Sequence, residues 1–585
     1  MASGSPSSSL SIVRALWSQA RLPSSVLETT LAAGNLVLSN DPAECGQAVR
    51  SSFQLTAVAQ GCCAAIALAE RLRCSLQAGK GLEGLVLERV EVDAQQAIAE
   101  YVGWLRLHQG AEETAEKILD GSIPADSDHG RKLLNIDAHA VADWDALAGL
   151  YRTQPDPNRS VPGVVRLHTN FPHHKLGVLQ LLGLAPGTAN RNDPRLHDEV
   201  FSQVSREDVQ RELLEWNAFE LEKKAQKRRL CVTAYRSRQE WEASGMGTAV
   251  KTWMDENEGS AFRISRIRST GPSKARTAKS QEGGRLKVVD MSRVIAGPIS
   301  TRTLAAHGAD VLLLSSPYLP NLPLRELDTA RGKRTGLIDI LSGSPLSTLP
   351  KPLRRLLEQA DVFSQAYRPG GLAQRGLSAE NLQTIRPGIV YAELCAFGFT
   401  GPWRNHKAYD SLTQTACGMN FLESVSFNQH QGQEKYGAEV EPKALPVQAL
   451  DYAAGSLMCF ATLACKCRAL LERSSQDKVT SEEVEDGWKV QVSLASTAEW
   501  IQSLGQIHGD DAWTRPPRDV IPAEDTARLA EMVSSFKVRG LTTDAEEVQV
   551  MAVRHASIPA PLSTHQKDSR WTVPSHLGVD RLEWA

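Results

Sequence analysis

One aspartate stands at the start of the most apolar stretch of the chain. Asp451 follows the segment LPVQAL and precedes an Ala-rich run that continues to Leu471. This run predicts a buried helix with Asp451 at its start, where backbone N–H groups and the helix dipole stabilise negative charge. An ionised carboxylate in that place can serve as a helix N-cap or as a nucleophile in group transfer. The two roles are compatible.

Two other segments concentrate polar side chains. RGKRTGLID places Arg331, Lys333 and Arg334 just before a strand-like run, a pattern that suits either phosphate binding or a solvated loop. HTNFPHH ends in His173 and His174, which could be ligands or bases. An adjacent histidine pair in a Pro-containing turn is more typical of a surface feature, and we interpret it so.

A third segment, KAYDSLTQTACGM, places Lys407, Tyr409 and Asp410 after a Gly-Pro-Trp turn and before a predicted helix.

Fingerprints of common cofactors are missing: no G-x-G-x-x-G follows the first strand after residue 285, and the Walker and G-x-S-x-G patterns are absent. The ten cysteines have no paired C-x-x-C spacing, which argues against a zinc site. The sequence predicts neither a metal nor a tightly bound cofactor.

Composition narrows the class of protein. The chain is 42% hydrophobic and 23% charged with a formal net charge of -3, which is typical of a soluble globular protein and carries no nucleic-acid footprint. Asp451, Lys466 and Arg468 interrupt the apolar run, so it is not predicted to span a membrane. Neither nucleic acid nor membrane is expected as a partner.

The elements after residue 285 must position these side chains. KVVDM, DVLLLSS, DVFSQAY and IVYAELCAF have the composition of strands, and helix-forming sequence separates them. This alternation predicts an α/β fold with a doubly wound, Rossmann-like parallel sheet. Ligands in such folds bind beyond the carboxyl ends of the strands, which correspond here to residues 293–297, 367–370 and 397–403.

With 585 residues the chain exceeds what one hydrophobic core usually serves. We predict a flexible segment over residues 1–45, an α+β half over residues 46–265, a Gly/Ser-rich linker over residues 266–284 and the α/β domain over residues 285–585. The N-terminus is Ser-rich with a few arginines, a faint likeness to a mitochondrial transit peptide. We predict a cytoplasmic location.

A partial internal repeat links the two halves. TAVAQGCCAAIALAERLRC is followed by a V-x-V strand and a Trp-containing helix, and so is ALDYAAGSLMCFATLACKCRALLER. Aligning Gly61 with Gly455 sets Ala57 opposite Asp451, so the N-terminal copy lacks the charged group.

Several motifs, in order, resemble one family. LKVVDMSRVIAGPISTRTLAAHGADVLLL, RGKRTGLID, ADVFSQAYRPGGLAQRGLS, RPGIVYAELCAFGFTGPW and AYDSLTQTACG resemble the class III (CaiB/BaiF) coenzyme A transferases. The resemblance extends from Arg285 to about Leu504. Residues 46–265 look like the helical and small-domain portion of the same family without its nucleotide-type domain.

The resemblance implies a role for Asp451. In the family an aspartate at this position attacks an acyl-CoA thioester to give a mixed anhydride, the released CoA thiolate forms an aspartyl-CoA thioester, and an incoming acid then receives CoA. CoA is thus substrate rather than resident cofactor. By position, the family's CoA contacts correspond to Ile295, Ala296, Ile338, Tyr367, Arg368 and the segment from Lys407 to Tyr409. Arg375 lies one place beyond the arginine that is usual in its loop, and Arg293 and Lys333 are further candidates for binding phosphate.

The resemblance also implies partners. Family members act on an acyl-CoA and a small carboxylic acid and form interlinked dimers, so a homodimer is expected unless the fused N-terminal half replaces part of a partner subunit. Two departures matter: Ser316 stands where a basic residue is common, and the Gly-rich loop of formyl-CoA transferase has no counterpart here.

Two alternatives remain open. Acyl-CoA racemases of the same family use a histidine where this chain has Tyr409, and a phenol with an ordinary pKa of about 10 is a poor base at neutral pH. The other alternative is a non-catalytic CoA-binding scaffold, since the N-terminal half lacks the aspartate.

Overall fold

A computed structural model of the chain describes residues 8–103, 105–109, 113–114, 145–187, 200–268, 285–319, 322–340, 349–433, 439–475, 486–513, 527–539, 547–557, 578 and 580–584. The elements before residue 268 are α1 (Ser9–Gln19), α2 (Ser24–Ala32), β1 (Leu36–Ser39), α3 (Pro42–Cys45), α4 (Leu55–Gln77), β2 (Val90–Asp93), α5 (Ala94–Val102), β3 (Leu105–Gln109), β4 (Glu113–Thr114), β5 (Gly149–Arg152), β6 (Val164–Leu167), α6 (Pro172–Leu181), α7 (Arg206–Leu213), α8 (Ala218–Lys227), β7 (Val232–Ala234), α9 (Arg238–Glu242), α10 (Gly245–Asp255) and β8 (Phe262–Ile267).

The elements after residue 285 begin with the alternation that the sequence predicts. They are β9 (Lys287–Met291), α11 (Ala296–Ala306), β10 (Asp310–Ser315), α12 (Pro323–Thr329), β11 (Arg334–Leu337), α13 (Lys351–Leu357), β12 (Val362–Gln365), α14 (Ala379–Ile385), β13 (Val390–Cys395), α15 (Asp410–Ala416), α16 (Met419–His430), α17 (Ala449–Ser475), β14 (Gly487–Ser493), α18 (Leu494–Ser503), α19 (Asp510–Trp513), α20 (Ala527–Met532), β15 (Val533–Arg539) and β16 (Glu547–Val553).

The largest sheet has seven strands in the order β11-β10-β9-β12-β13-β14-β8. The six strands from β9 to β14 run parallel, and β8 pairs antiparallel with β14 at the edge. β10 and β13 are buried along their whole length, as expected for parallel strands that are covered on both faces. The predicted parallel α/β sheet is confirmed.

The strand order reverses between β9 and β12. In chain order the six parallel strands lie as 3-2-1-4-5-6, the doubly wound arrangement. The connections leave the sheet in opposite directions on either side of this point, which opens a crevice beyond the carboxyl ends of β9 and β12.

The N-terminal part forms an α+β subdomain and also enters the main sheet. An antiparallel sheet β5-β6-β7 packs against α6, α7 and α8 around its own apolar core. β8 begins before the predicted linker, extends into it at Arg266 and Ile267, and forms the edge of the large sheet, and β3 pairs with β16. The predicted boundary at residues 266–284 therefore does not separate two independent folding units. Residues 269–284 of that linker lie outside the described residues.

The start of the chain departs from the prediction of a flexible segment over residues 1–45. From residue 8 onward it forms α1, α2, β1 and α3. Ile12, Leu16 and Trp17 of α1 are buried in the main core, and the Trp17 indole donates a hydrogen bond to the Pro23 carbonyl at 3.0 Å. Burial of these apolar side chains holds the segment in place.

Two long apolar helices, α4 and α17, pack against each other in the centre of the molecule. By length and composition either could cross a membrane, but most of each is buried inside the protein. Small side chains, mostly Ala, Gly, Ser and Cys, let the two backbones approach closely, and the Cys467 thiol lies 3.3 Å from the Ala69 carbonyl oxygen. The predicted buried helix after Asp451 is confirmed.

The two stretches of the internal repeat have similar surroundings. In each, a long helix is followed by a strand and a second helix: α4, β2 and α5 in one, α17, β14 and α18 in the other. A Cβ atom on Gly61 would lie 2.7 Å from Cγ2 of Ile12 on α1, and one on Gly455 would lie 2.9 Å from Cγ2 of Ile299 on α11. Each glycine thus marks a close helix crossing.

We expect Gly61→Ala to lower the free energy of unfolding by about 1–2 kcal/mol. The added methyl overlaps Ile12 and the Ser9 carbonyl. Overpacking costs about 1–3 kcal/mol, while alanine's better helix propensity returns up to about 1 kcal/mol. Urea denaturation measures the change. Gly81→Ala, at an exposed position with no atom within 4 Å of the new methyl, is the control; equal effects would contradict the close crossing.

Candidate active site

A cleft of about 930 Å³ opens beyond the carboxyl ends of β9 and β12, where the strand order reverses. One wall comes from the loops that follow the strands of the large sheet. The other comes from the N-terminal α+β subdomain and consists of Phe171, His173, His174, Gln226, Lys227 and Arg229. Both parts of the chain therefore form the cleft.

Most of the predicted site residues line this cleft. Asp451 lies in its wall together with Arg293, Ile295, Ala296, Ile338, Tyr367, Arg368, Arg375, Lys407 and Tyr409. The loops at residues 293–297 and 367–370 contribute largely as expected, but the third predicted loop does not. Residues 394–396 and 404–409 line the cleft in place of residues 397–403, where Phe397 and Trp403 pack on each other with ring centroids 5.1 Å apart.

Lys333 does not reach the cleft, contrary to the expectation that it meets phosphates. Its side chain is fully buried, and its ammonium donates to Asp290 Oδ2 at 3.0 Å and to the Pro298 carbonyl at 2.8 Å. Asp290 also accepts hydrogen bonds from the Ser292 and Thr301 hydroxyls. The ion pair braces the turn between β9 and α11, so Lys333 supports the loop that carries Arg293 and has no ammonium proton directed at a ligand.

The neighbouring basic residues also form contacts inside the protein. The buried Arg331 guanidinium donates to the Val553 carbonyl at 2.6 Å, and Arg334 pairs with Asp310 at 2.9 Å. Neither the phosphate-binding nor the solvated-loop interpretation of RGKRTGLID holds, because all three cations form internal contacts.

The β9–α11 loop has a strained backbone. Val294 has φ of +71°, a conformation that β-branched residues rarely adopt. A Cβ atom on Gly297 would lie 2.5 Å from Cβ of Ser292 and 2.7 Å from Cβ of Ala366, so glycine permits the close approach of this loop to the loop after β12. Strain of this kind persists only where the surrounding structure holds it, as the Asp290–Lys333 pair does here.

Asp451 is the third residue of α17, and it does not act as the helix N-cap. The first helical hydrogen bond runs from the Tyr452 N–H to the Gln448 carbonyl at 3.3 Å. The Asp451 N–H donates to Asp410 Oδ2 at 2.8 Å, and the Leu450 N–H also donates to Asp410. Asp410, at the start of α15, supplies the carboxylate that satisfies the free N–H groups of α17. The side chain of Asp451 remains directed into the cleft.

Both carboxyl groups have a raised affinity for protons, and the charge of Asp410 contributes to that of Asp451. Burial raises the pKa of Asp410 to about 7, against the lowering effect of its backbone donors and Gln414. Burial and the charge of Asp410 raise the pKa of Asp451 well above its ordinary value, while Arg325 acts in the opposite direction. Two adjacent buried carboxylates cannot both ionise easily. The pair therefore holds a proton that exposed carboxylates would release.

Tyr409 closes the cleft beside Asp451 within a stack of aromatic rings. Its ring lies parallel to that of His168 at 3.9 Å between centroids and 5.7 Å from Phe171. Burial raises the pKa of the Tyr409 phenol well above its ordinary value. Burial and Arg166 lower the pKa of His168 to about 3, so its imidazole is neutral. At neutral pH both rings are uncharged and form an apolar wall.

The histidine pair was wrongly interpreted as a surface feature. His174 is buried, its Nε2 lies 3.3 Å from Lys407 Nζ, and its Nδ1 lies 3.5 Å from the Cys231 thiol. His173 lies at the cleft beside it. A sequence signal was available, since HTNFPHH directly follows β6, where strand ends commonly carry functional side chains. The partner Lys407 is 233 residues away, and no spacing rule relates the two.

The cleft is strongly basic. Among the described residues that line it, Asp451 supplies the only carboxylate, whereas seven side chains are cationic: Lys227, Arg229, Arg293, Arg368, Arg375, Arg404 and Lys407. A concave surface with this excess of positive charge attracts a polyanion.

A separate buried cluster has donor atoms of the kind that bind metals. Cys63, Glu100 and His555 bring one donor atom each within 4.8 Å of one another. Both oxygens of Glu100 are already used, by Arg302 Nη2 at 2.8 Å and the Ala556 N–H at 2.8 Å. Burial, Arg302 and Arg331 lower the pKa of His555 to about 3. A field that disfavours a proton also disfavours a cation, so we assign no metal to this cluster.

Part of the chain is similar in sequence to known CoA-transferases. Residues 285–539 match the sequence model of CoA-transferase family III, which is less than half of the chain. An acetyl-coenzyme A transferase, nodX, of Hypoxylon pulicicidum is 28% identical over 39% of this chain and 35% of its own length. A probable fatty acyl-CoA transferase, Rv3272, of Mycobacterium tuberculosis is 28% identical over 32% of this chain and 46% of its own.

The chain thus spans between about a third and a half of the length of these relatives. A crystal structure of Rv3272, there called a hypothetical protein, aligns with 37% of this chain and 56% of that one at 25% identity, with a TM-score of 0.29. That score is too low to compare the two folds. The N-terminal wall of the cleft lies outside the family match.

We expect the carboxyl pair to make stability fall as pH rises. The folded state keeps a proton that the unfolded chain releases near pH 4, so stability is fully present below that pH and is lost as the pH rises towards about 7. Other buried acids act in the same direction, so Asp410→Asn isolates the pair. The stability advantage of the parent over this variant should shrink between pH 5 and 8, by at most about 1.4 kcal/mol per pH unit. Urea denaturation across this range gives the difference, and a constant difference would contradict the shared proton.

Proposed function

Because residues 285–539 carry the CoA-transferase family III sequence, we propose that the protein transfers coenzyme A from an acyl-CoA to a carboxylic acid through covalent intermediates on Asp451. The observation that carries this proposal is the position of Asp451, the only carboxylate in the described lining of a cationic cleft at the switch point of the sheet. The named relatives are CoA-transferases.

The charge of the cleft matches that of the ligand. Coenzyme A carries a pyrophosphate and a 3′-phosphate, and arginine and lysine are the usual partners of such groups. The apolar stretch of the cleft, with Ile295, Ala296 and Ile338, suits the pantetheine arm. In this proposal the thioester end of an extended CoA molecule lies at Asp451.

The reaction consists of a series of carbonyl exchanges. The Asp451 carboxylate attacks the acyl-CoA carbonyl, the C–S bond breaks, and a mixed anhydride and a CoA thiolate form. The thiolate attacks the Asp451 carbonyl and releases the donor acid as a carboxylate. The acceptor carboxylate then displaces CoA from the aspartyl thioester, and the thiolate attacks the acceptor's carbonyl, which regenerates the Asp451 carboxylate. No net proton, oxidant or reductant is required.

The backbone N–H groups at the start of α17 are not free to stabilise an oxyanion. The N–H groups of Leu450 and Asp451 are engaged with Asp410 and cannot donate to an oxyanion without losing that partner. Fixed positive charges near the reacting carbon are a better source of oxyanion stabilisation. Arg293 affects the phenol of Tyr409, and Arg325 affects the carboxylate of Asp451, so both lie within electrostatic range of the reaction.

Asp410 would tune the nucleophile. It holds the backbone of α17 in place and raises the pKa of Asp451. A carboxylate of higher pKa is the stronger nucleophile once it is ionised, and the charge of Arg325 favours the ionised form of Asp451. We propose that Asp410 is a positioning residue for Asp451.

Tyr409 is a poor base for the racemase alternative. A racemase needs a group that removes the proton next to the thioester carbonyl, and the phenol of Tyr409 holds its own proton more tightly than an exposed tyrosine does. The scaffold alternative offers no reason for a carboxylate on the floor of an anion-binding cleft, where it weakens binding of the phosphates. We therefore place the transferase first.

We also propose that the protein carries no resident cofactor, since the reaction as written needs none, and that it acts in the cytoplasm on an acyl-CoA and a small carboxylic acid. Nucleic acid and membrane lipids are not proposed as partners. The family resemblance implies a homodimer, but we propose instead that one chain completes one site. The N-terminal part supplies the second wall of the cleft.

We expect incubation with reactive acyl-CoAs to give an enzyme adduct on Asp451. Hydroxylamine should convert it to a hydroxamate that intact-mass measurement and peptide mapping locate. Asp451→Asn keeps the shape of the side chain and should bind CoA but form no adduct. Asp255→Asn, at an exposed carboxylate on α10, should react like the parent.

Two outcomes would redirect the proposal. Binding of CoA without any adduct, together with solvent deuterium exchange next to the thioester, would favour a racemase. Binding without either reaction would favour a scaffold.

We expect the protein to be monomeric at concentrations at which it binds CoA. Sedimentation equilibrium should give a mass near 63.8 kDa, and the stoichiometry of CoA should be one per chain. An obligate dimer whose CoA binding is lost on dilution would contradict a site completed within one chain.

A further inference from the structure

The N-terminal wall of the cleft has cations at its rim. α8 ends at Lys227, and the chain turns through Arg229, whose φ of +59° reverses its direction before β7. Leu230 anchors this turn in the core of the α+β subdomain. The turn therefore holds Lys227 and Arg229 at the cleft from a well-packed base.

Lys227 and Arg229 line the same cleft as the cationic side chains of the other wall. Cys231, two residues after Arg229, is within electrostatic range of Lys407 and Arg368, both of which lower the pKa of its thiol against the larger effect of burial. Arg368 also contacts the Asn405 carbonyl at 3.4 Å, and Lys407 lies 3.3 Å from His174. Cations from both halves of the chain thus contribute to the lining of one cleft.

Lys227 and Arg229 differ from other basic residues of α8 and its turn. Both are exposed to solvent, and within the described ranges no carboxylate forms an ion pair with either. Lys224, by contrast, packs over the ring of Trp216 at 4.4 Å. Lys223 and Arg228 are exposed but do not line the cleft.

We propose that Lys227 and Arg229 bind the 3′-phosphate of coenzyme A. The inference rests on the proposed function, because the thioester end must lie at Asp451 and the adenosine end, with its phosphate, then lies at the open rim. Arg293 is only partly exposed and lies within electrostatic range of Tyr409, which suits the inner part of the ligand. A phosphate monoester carries nearly two negative charges at neutral pH, which two cations match.

The arginine adds geometric specificity. A guanidinium can donate two parallel hydrogen bonds to one phosphate, whereas an ammonium acts as a point charge. The N-terminal part thereby recognises the feature that distinguishes CoA from dephospho-CoA and from pantetheine carried on a protein. It lies outside the family match, so this contact belongs to the fused half of the chain.

Calorimetric binding of CoA and of 3′-dephospho-CoA tests the proposal. The parent should bind CoA at least about tenfold more tightly, the effect of one charge-assisted hydrogen bond. In Lys227→Ala/Arg229→Ala this ratio should fall towards one, through weaker binding of CoA with little change for dephospho-CoA. The matched control Lys223→Ala/Arg228→Ala removes the same charge from the same helix and its turn and should keep the parent's ratio.

Each other outcome has a defined meaning. A parent that binds both ligands equally, or a double variant that keeps the ratio, overturns the assignment and leaves the proposed transferase intact. Equal weakening of both ligands also overturns it, because the two cations would then act on the part of the ligand that both share. A parent that binds neither ligand contradicts the proposed function itself. Urea denaturation of each variant checks that the fold is unchanged.

Discussion

The packing of α4 against α17 is the contact on which the rest of the molecule depends. These helices come from opposite halves of the chain, and their small side chains let them lie close along most of their length. Close packing of this kind contributes dispersion and burial over a long interface. It fixes α17, and therefore Asp451, relative to the N-terminal part.

A buried charge junction ties the same halves together a short distance away. Arg302 of α11 pairs with Glu100 of α5 at 2.8 Å and with Asp328 of α12 at 2.5 Å, and all three are almost fully buried. Burial raises the pKa of Glu100 to about 7, while Arg302 opposes the rise. Such a pair is costly to desolvate and contributes little net stability, but removing one partner leaves an uncompensated charge. It therefore favours one arrangement of the halves over others.

Buried charged groups also fix the position of backbone segments around the cleft. Two carboxyl groups share a buried corner, where Asp410 holds the backbone of α17 and Asp451 faces the cleft. Around them the lining cations create a field that suits a polyanion. A second buried pair, Lys333 with Asp290, holds the strained loop that carries Arg293. Asp410, Asp290 and Lys333 thus act mainly through the backbone segments that they position.

The sequence by itself determined the elements and the chemistry that they could carry. Alternation of apolar strands with helices predicted the parallel sheet, and the apolar run after Asp451 predicted its buried helix, because both patterns are local and have a fixed period. Only the tertiary structure decided which polar groups face the cleft. Lys333 pairs with Asp290, His174 contacts Lys407, and Asp410 accepts hydrogen bonds from the start of α17. In each case the partner is far away in the chain or on another element. Periodicity records which face of an element is buried, but a buried polar group is positioned by its partner, and that partner is known only once the chain has folded.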